Sequence, residues 1–255
     1  MPEERATSVR PTLVLQKVRR ILESFTLDDP DLSLQEITRR TELPASTCQR
    51  LVQNLVGEGF LDKDGDVYRI GLGLVHWAAP GTYGMDLVRT ARPVLDELRD
   101  AAGETAYLQV RDGSARVIVA VSEVRNVVIR RFTVGMVMPL HAGSGGKVFL
   151  AYDPEAWNAA LSRGLSTTDI NHPTDFDRLQ GDLATVRQQG YAATFEERDA
   201  GAGSLSAPVF GMDGALAAVV GIGAPIQRFD GDTANEHARA VTEAARRASR
   251  AIGYR

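Results

Sequence analysis

Ser46, Thr47, Gln49, Arg50 and Asn54 follow one another within a few residues. At about 100° per residue they fall on one side of a helix. Their chemistry is that of a reader of double-stranded DNA. Short hydroxyls beside a helix N-terminus suit a phosphate oxygen. An arginine pairs with a guanine edge or a phosphate, and Gln49 or Asn54 with adenine. Lys63, Tyr68 and Arg69, a little further on, suit contact with the sugar-phosphate backbone or the minor groove. A solvated helix in any domain also carries polar residues, so no single one of these is diagnostic. Their order along the chain is the signal.

A second cluster is Gly143-Ser-Gly-Gly146-Lys147. If a helix follows it, exposed amides at the positive end of the helix dipole can hold a carboxylate. A tight loop that needs no ligand explains the same glycines, and both readings stand. His141, Ser144 and Lys147, with Glu196, Glu197 and Asp199, are the only set resembling catalytic machinery. No nucleophile elbow, metal spacing or triad order accompanies them, and such clusters at helix starts are usually structural. Lys147 reads as a surface or capping residue, and an enzyme is not expected. A phosphate loop would need glycine at His141 and Ser or Thr at Val148. Gly71-Leu-Gly73 and Gly221-Ile-Gly223 lack the third glycine of a dinucleotide fingerprint, having His76 and Ile226 instead.

The chain has 255 residues, 44% of them hydrophobic and 24% charged, normal for one large or two ordinary globular domains. The single cysteine, Cys48, excludes an internal disulfide, and with only four histidines no metal site is expected. No cofactor is expected either. The net charge of −4 argues against nucleic acid bound over the whole surface, but a local footprint remains open. Arg5, Arg10, Lys17, Arg19 and Arg20 supply one near the start. No apolar run reaches the roughly 18–20 residues of a membrane span, and no secretory leader opens the chain. A cytoplasmic protein is expected, with no membrane partner.

Positioning the polar face requires a helix backed by core. Cys48, Leu51, Val52, Leu55 and Val56 supply that backing, in a helix starting near Pro44 and stopping at Gly59. Leu13, Leu15, Val18, Ile21, Leu22 and Phe25 predict an earlier helix with one buried face. Between them, Ser33-Leu-Gln-Glu36 has the form of a capping box and opens a short helix before the turn at Thr41–Pro44. Phe60-Leu61 and Val67–Ile70 alternate like paired strands around an acidic tip, Asp62 to Asp66. This order is that of a winged helix-turn-helix. Ala78–Thr82, with Pro80 and Gly81, is the expected break or linker. Beyond it Asp86–Ala101 is an amphipathic helix. Strands are expected at Ala106–Val110, Val117–Val121, Val127–Phe132, Ser206–Val209 and Leu216–Ile222. Helices are expected at Lys147–Tyr152, Pro154–Ser162, Phe176–Gln189 and Asp232–Gly253. Strands in adjacent groups favour an α+β class over a doubly wound sheet.

The stretch SLQEITRRTELPASTCQRLVQNLVGEGFLDKDGDVYRIGLGL, residues 33–74, resembles the DNA-binding domain of IclR-type regulators. MPLHAGSGGKVFLAY and QGYAATFEERDAGAGSLSAPVFGMDGALAAVVGIGAPIQRF resemble the two signature regions of that family's effector domain, and the likeness runs from about residue 12 onwards. It implies a winged helix-turn-helix at 8–74, a linker at 75–85 and a GAF-like effector-binding domain at 86–255. It further implies a homodimer or homotetramer on a palindromic operator, most often as a repressor, answering to a small effector such as an organic or aromatic acid. The effector positions carried over from the family are Met138, Ser144, Gly145, Thr194, Ala202, Ser204, Gly221 and Gly223. Gly221 and Gly223 suggest a roomy pocket. Two departures are the Pro80-Gly81 pair, where the family has a continuous helix, and the acidic wing, where Asp62, Asp64 and Asp66 repel phosphate. A ligand-sensing protein acting through protein partners is the remaining alternative.

Overall fold

The computed structural model describes residues 13–26, 28–83, 86–124, 132–163 and 176–254. The chain forms two compact units, Met1–Gly84 and Met85–Arg255. In the first, α1 (Leu13–Glu23), β1 (Leu32–Ser33), α2 (Leu34–Thr41) and α3 (Ala45–Gly57) precede a hairpin of β2 (Leu61–Asp64) and β3 (Val67–Ile70), and α4 (Leu72–Tyr83) closes it. The strands run antiparallel in the order β1-β3-β2, with Leu32 opposite Tyr68 and Leu61 opposite Ile70. Ile21, Leu32, Ile37, Leu43, Cys48, Leu51, Val52, Leu55, Leu61 and Tyr68 make one buried core.

Local chemistry sets the helix boundaries. The Ser33 hydroxyl accepts the Glu36 amide at 3.3 Å, and the Glu36 carboxylate accepts the Ser33 amide at 2.9 Å. The bond from the Ser33 amide, and after it the one that the Ser33 hydroxyl donates to the same carboxylate at 2.8 Å, hold the Glu36 carboxyl below its ordinary pKa of 4.5. The cap therefore contributes fully above that pH and fades as pH falls through the lowered value. Ser33→Ala is expected to cost about 1 kcal/mol, seen as a melting point a few degrees lower. An unchanged melting curve would mean that the packing of Ile37 alone holds the helix. Glu42, at φ 53°, ends α2 in the left-handed region and donates its N–H to Thr38 at 3.0 Å.

Three expectations need correction here. Leu13 and Leu15, expected in the core, are 70% and 68% exposed, because the first turn of α1 reaches beyond the elements it packs on. Tyr68, expected at a DNA backbone, is buried in the core, since its place on β3 faces the helices. The expected break at Ala78–Thr82 is absent: the backbone stays helical from Leu72 to Tyr83. A proline removes one backbone bond, here to His76, and that residue is exposed, so water can serve its carbonyl.

The second unit contains α5 (Asp86–Ala102), β4 (Thr105–Asp112), β5 (Ala115–Ser122), β6 (Val137–Pro139), α6 (Ser144–Tyr152), α7 (Pro154–Arg163), α8 (Phe176–Gln189), β7 (Ala192–Phe195), β8 (Ala202–Phe210), β9 (Leu216–Pro225) and α9 (Gly231–Ala251). Its sheet is antiparallel throughout, in the order β6-β5-β4-β9-β8-β7. Of the strand expected at Val127–Phe132, residues 127–131 lie outside the described residues, and Phe132 is not in a strand. The strands β6 and β7 were not expected: three and four residues are too few for alternation to show.

Alternation divides the sheet into two faces. Leu108, Ala120, Leu205, Ala207, Val209, Val220 and Ile222 pack with Leu95, Leu98, Val241 and Ala245, residues of α5 and α9. On the other side Leu140, Val148, Phe149, Leu179, Leu183 and Val186 form a separate core around α6 and α8. At β4–β5 the register jumps: Leu108 faces Ala120 but Gln109 faces Ile118, which leaves Val119 bulged out of the pairing. The bulge turns Ile118 into the cluster of Tyr107 and Met138, away from the helix-packed face of Ala120.

Candidate nucleic-acid interface and ligand cavity

On α3 the two faces separate cleanly. Cys48, Leu51, Val52 and Leu55 are buried, while Ser46, Gln49, Arg50, Gln53 and Asn54 are exposed and Thr47 is half-buried. No hydrogen bond or ion pair among the described residues engages the Arg50 guanidinium, so it is free to meet a ligand. The turn before α3 is pinned from behind: Arg20 donates to the Thr41 carbonyl, and Arg40 donates to the Ser24 carbonyl at 3.0 Å and to Asp29 at 2.8 Å. Such pinning fixes the angle at which α3 stands out of its domain.

Lys63 and Arg69 sit on the hairpin rather than on α3 and differ from each other. Lys63 is exposed, its ammonium 5.7 Å from the centre of the Tyr68 ring. Arg69 is half-exposed but neutralised by Asp31 at 3.0 Å and Asp64 at 3.5 Å. Asp62, one of the three wing acids, accepts the Leu72 amide at 3.4 Å and so caps α4. Gly71 and Gly73 have a packing role: a Cβ on either would stand 2.5 or 2.4 Å from the Gly59 carbonyl oxygen.

The second site is a cavity of about 40 Å³ on the sheet face that carries Tyr107 and Gln109, beside the start of α6. It is lined by Tyr107, Gln109, Arg116, Phe132, Ser144, Gly145, Thr194, Arg198, Ala202 and Ser204, among others. Of the positions expected from sequence, Ser144, Gly145, Thr194, Ala202 and Ser204 come together here. A chain of hydroxyls forms one wall. Ser144 donates to Ser204 at 2.8 Å, Ser206 lies 2.8 Å from Ser144, and Thr194 lies 3.0 Å from Ser204.

Met138, Gly221 and Gly223 do not line the cavity. The Met138 sulfur faces Arg116 at 3.8 Å and takes a close contact from Arg198. The room expected at the two glycines is already filled. A Cβ on Gly221 would lie 2.4 Å from the Ser206 hydroxyl, and one on Gly223 would lie 2.3 Å from the Phe132 ring. Lys147 is not a surface residue. It is 6% exposed and donates to Asp182 at 2.7 Å and to Glu197 at 2.5 Å. Glu197 in turn accepts the Gly143 amide at 2.6 Å, so an internal carboxylate already holds that amide at the helix start. Ser144 is engaged by hydroxyls, which are poor general bases.

Sequence reasoning missed Arg116, Gln109, Tyr107, Phe132 and Arg198. Arg116 is 2% exposed, and burial, reinforced by Arg198, lowers its pKa to about 9, with Tyr107 and Glu197 pulling the other way. A signal was present: an arginine within the apolar alternation of Ala115–Ser122 is out of place in a strand. Among the described residues no group of three His, Cys, Asp or Glu side chains is placed to hold a metal, and no helix is long and apolar enough to cross a membrane.

A winged helix-turn-helix with a solvent-facing third helix, in one chain with a sheet domain that encloses a polar cavity, defines a DNA-binding regulator with a sensory domain. Two family models match: the IclR helix-turn-helix domain over residues 14–65, and the C-terminal domain of bacterial IclR transcriptional regulators over residues 82–250. The chain belongs to the IclR family of transcriptional regulators, which are not enzymes. It is 29% identical to the HTH-type transcriptional regulator XynR of Escherichia coli strain K12, over 94% of this chain and 98% of that protein. It is 27% identical to the HTH-type transcriptional repressor AllR of the same strain, over 88% of this chain and 84% of that protein. The crystal structure of an IclR homologue from Microbacterium hydrocarbonoxydans, complexed with 4-hydroxybenzoate, superposes with a TM-score of 0.80 at 26% identity, covering 94% of this chain and 98% of that one.

Proposed function

We propose that this protein is a cytoplasmic repressor that binds a palindromic operator as a homodimer or homotetramer and responds to a small organic acid. Ser46, Thr47, Gln49, Arg50 and Asn54 read the major groove, with Lys63 on the flanking backbone. Arg69, already paired with two carboxylates, contributes least. The observation that carries the reading is the α3 face itself, polar, exposed and with an unengaged arginine at its centre. Repression has support from AllR, which is named a repressor.

Pairing of the chain follows from operator geometry, because two-fold protein symmetry reads a palindrome. Exposed apolar side chains on α1 (Leu13, Val14, Leu15) and α4 (Leu72, Val75) offer a surface for it. The effector occupies the cavity between Ser144, Gly145, Thr194, Ala202 and Ser204. A bound organic acid in the Microbacterium homologue favours that class of ligand. The effector acts through unequal affinity for the DNA-competent and DNA-incompetent states.

Mobility shift with fragments from upstream of the protein's own and adjacent genes tests the proposal. A shift at physiological salt that resists non-specific competitor, and that an organic acid weakens, is the expected result. No specific shift with any such fragment removes the regulator reading, and a monomer at micromolar concentration removes the paired one.

A further inference from the structure

The last turns of α9, the end of β8 and the end of α8 leave between them a groove of about 680 Å³. That lies within the roughly 300–1,000 Å³ of sites that hold drug-sized molecules. Small residues open it: Ala207 on β8, Ala245 on α9 and Gly190 after α8 put no bulk into the space. Aromatic rings stand along it. Phe210 is the middle of a row, its ring centre 5.5 Å from that of Tyr152, edge to face, and 5.5 Å from that of Tyr254. Aromatic faces left open to water mark a surface that binds something apolar.

The hydroxyls in the lining are already bonded within the domain. Ser249 donates to the Ala245 carbonyl at 2.8 Å and accepts the Phe210 amide at 3.0 Å. Thr242 donates to the Ala238 carbonyl at 2.7 Å, and Tyr152 to the Val186 carbonyl at 3.2 Å. Charge enters only at the rim. Arg246 and Arg250, their side chains 68% and 63% exposed, share one carboxylate, that of Glu243, at 3.9 and 3.1 Å. Two cations against one anion leave the rim positive above an apolar floor. An added protein strand is a poor fit. Pro208 has no N–H and Phe210 gives its own to Ser249, so β8 beyond its pairing with β7 offers neither.

We infer that this groove is a ligand site separate from the cavity at the start of α6, and that it takes a flat apolar amphiphile of two or three fused rings with one anionic group at its edge. The rings lie against Phe210 and Tyr254, and the anionic edge meets Arg246 and Arg250. The inference goes beyond the effector reading above and does not depend on it.

Naphthalene sulfonate and neutral naphthol are the probes, titrated by calorimetry into the full chain. One naphthalene sulfonate is expected to bind per chain. Thr242→Trp, which fills the groove from a half-buried position on α9, should lower that affinity at least tenfold. Tyr254→Ala removes one ring of the row and should lower it about fivefold, which decides the matter should the Trp variant not fold. Arg246→Gln with Arg250→Gln should weaken the sulfonate about fivefold and leave naphthol unchanged. Ser204→Trp fills the other cavity and should leave the binding of both probes unchanged. Absence of saturable binding to the wild type, or wild-type affinity in both groove variants, overturns the inference. So does loss of binding in Ser204→Trp, which would place the probe in the cavity at α6. Thr242→Trp that lowers the oligomeric state in sedimentation, with no probe bound to the wild type, would give the groove to a second copy of the chain and overturn it equally.

Discussion

Arg50→Ala is expected to weaken specific operator binding by about 1–3 kcal/mol, a factor of roughly 5 to 150, with the fold unchanged. The argument is geometric. Arg50 lies on the outer face of α3, opposite the buried Cys48–Leu51–Leu55 stripe, and among the described residues no carboxylate neutralises it. Its removal costs the folded protein nothing, so a loss of affinity is a loss of contact. Equilibrium mobility shift over a salt series separates its two possible partners. If Arg50 meets a guanine edge, discrimination between operator and random DNA collapses while the salt slope is nearly unchanged. If it meets a phosphate, affinity drops for all sequences and the slope of log K against log salt falls by about one. Wild-type affinity in the alanine variant would show that Arg50 is not a reader of the operator.

The second large effect is at the cavity. Ser204 sits on β8, its hydroxyl bonded to Ser144 and Thr194, on the wall of a space of about 40 Å³. An indole there fills the space completely. Ser204→Trp is therefore expected to abolish any change in operator affinity caused by organic acids, while operator affinity without acid stays at the wild-type value. Mobility shift with and without the acid that is most effective on the wild type measures both quantities. A preserved response would move the effector site away from the hydroxyl wall. Ser204→Ala, which removes two hydrogen bonds without adding bulk, should retain a weakened response and guards against a general loss of folding.

Much of the first unit was legible because its information is local. The buried stripe of α3 repeats every three or four residues, and the Ser33–Glu36 cap needs only four consecutive residues. Leu13 and Leu15 misled because periodicity marks an apolar face without saying whether anything covers it. Tyr68 misled for the opposite reason, as a polar hydroxyl on a ring that the core of α2 and α3 claims. The missing N–H of Pro80 suggests a break, yet the carbonyl it leaves without a partner belongs to His76, an exposed residue, and the helix tolerates one lost bond. In the second unit the hydroxyl wall joins residues 60 and 62 positions apart, Ser144 with Ser204 and Ser206, and no periodicity links them.

By itself the sequence determined the two-domain α+β organisation, the outward face of the third helix and the family, since each rests on short-range patterns or on a likeness of motifs. Only the tertiary structure decided what the cavity contains. Strict alternation along β5 would put Arg116 and Ala120 on the same side, against α5 and α9. The bulge at Val119 reverses the strand, turns Arg116 to the opposite face and buries its guanidinium beside the start of α6. A bulge arises from how two strands are paired, and that pairing is settled by packing across the whole sheet.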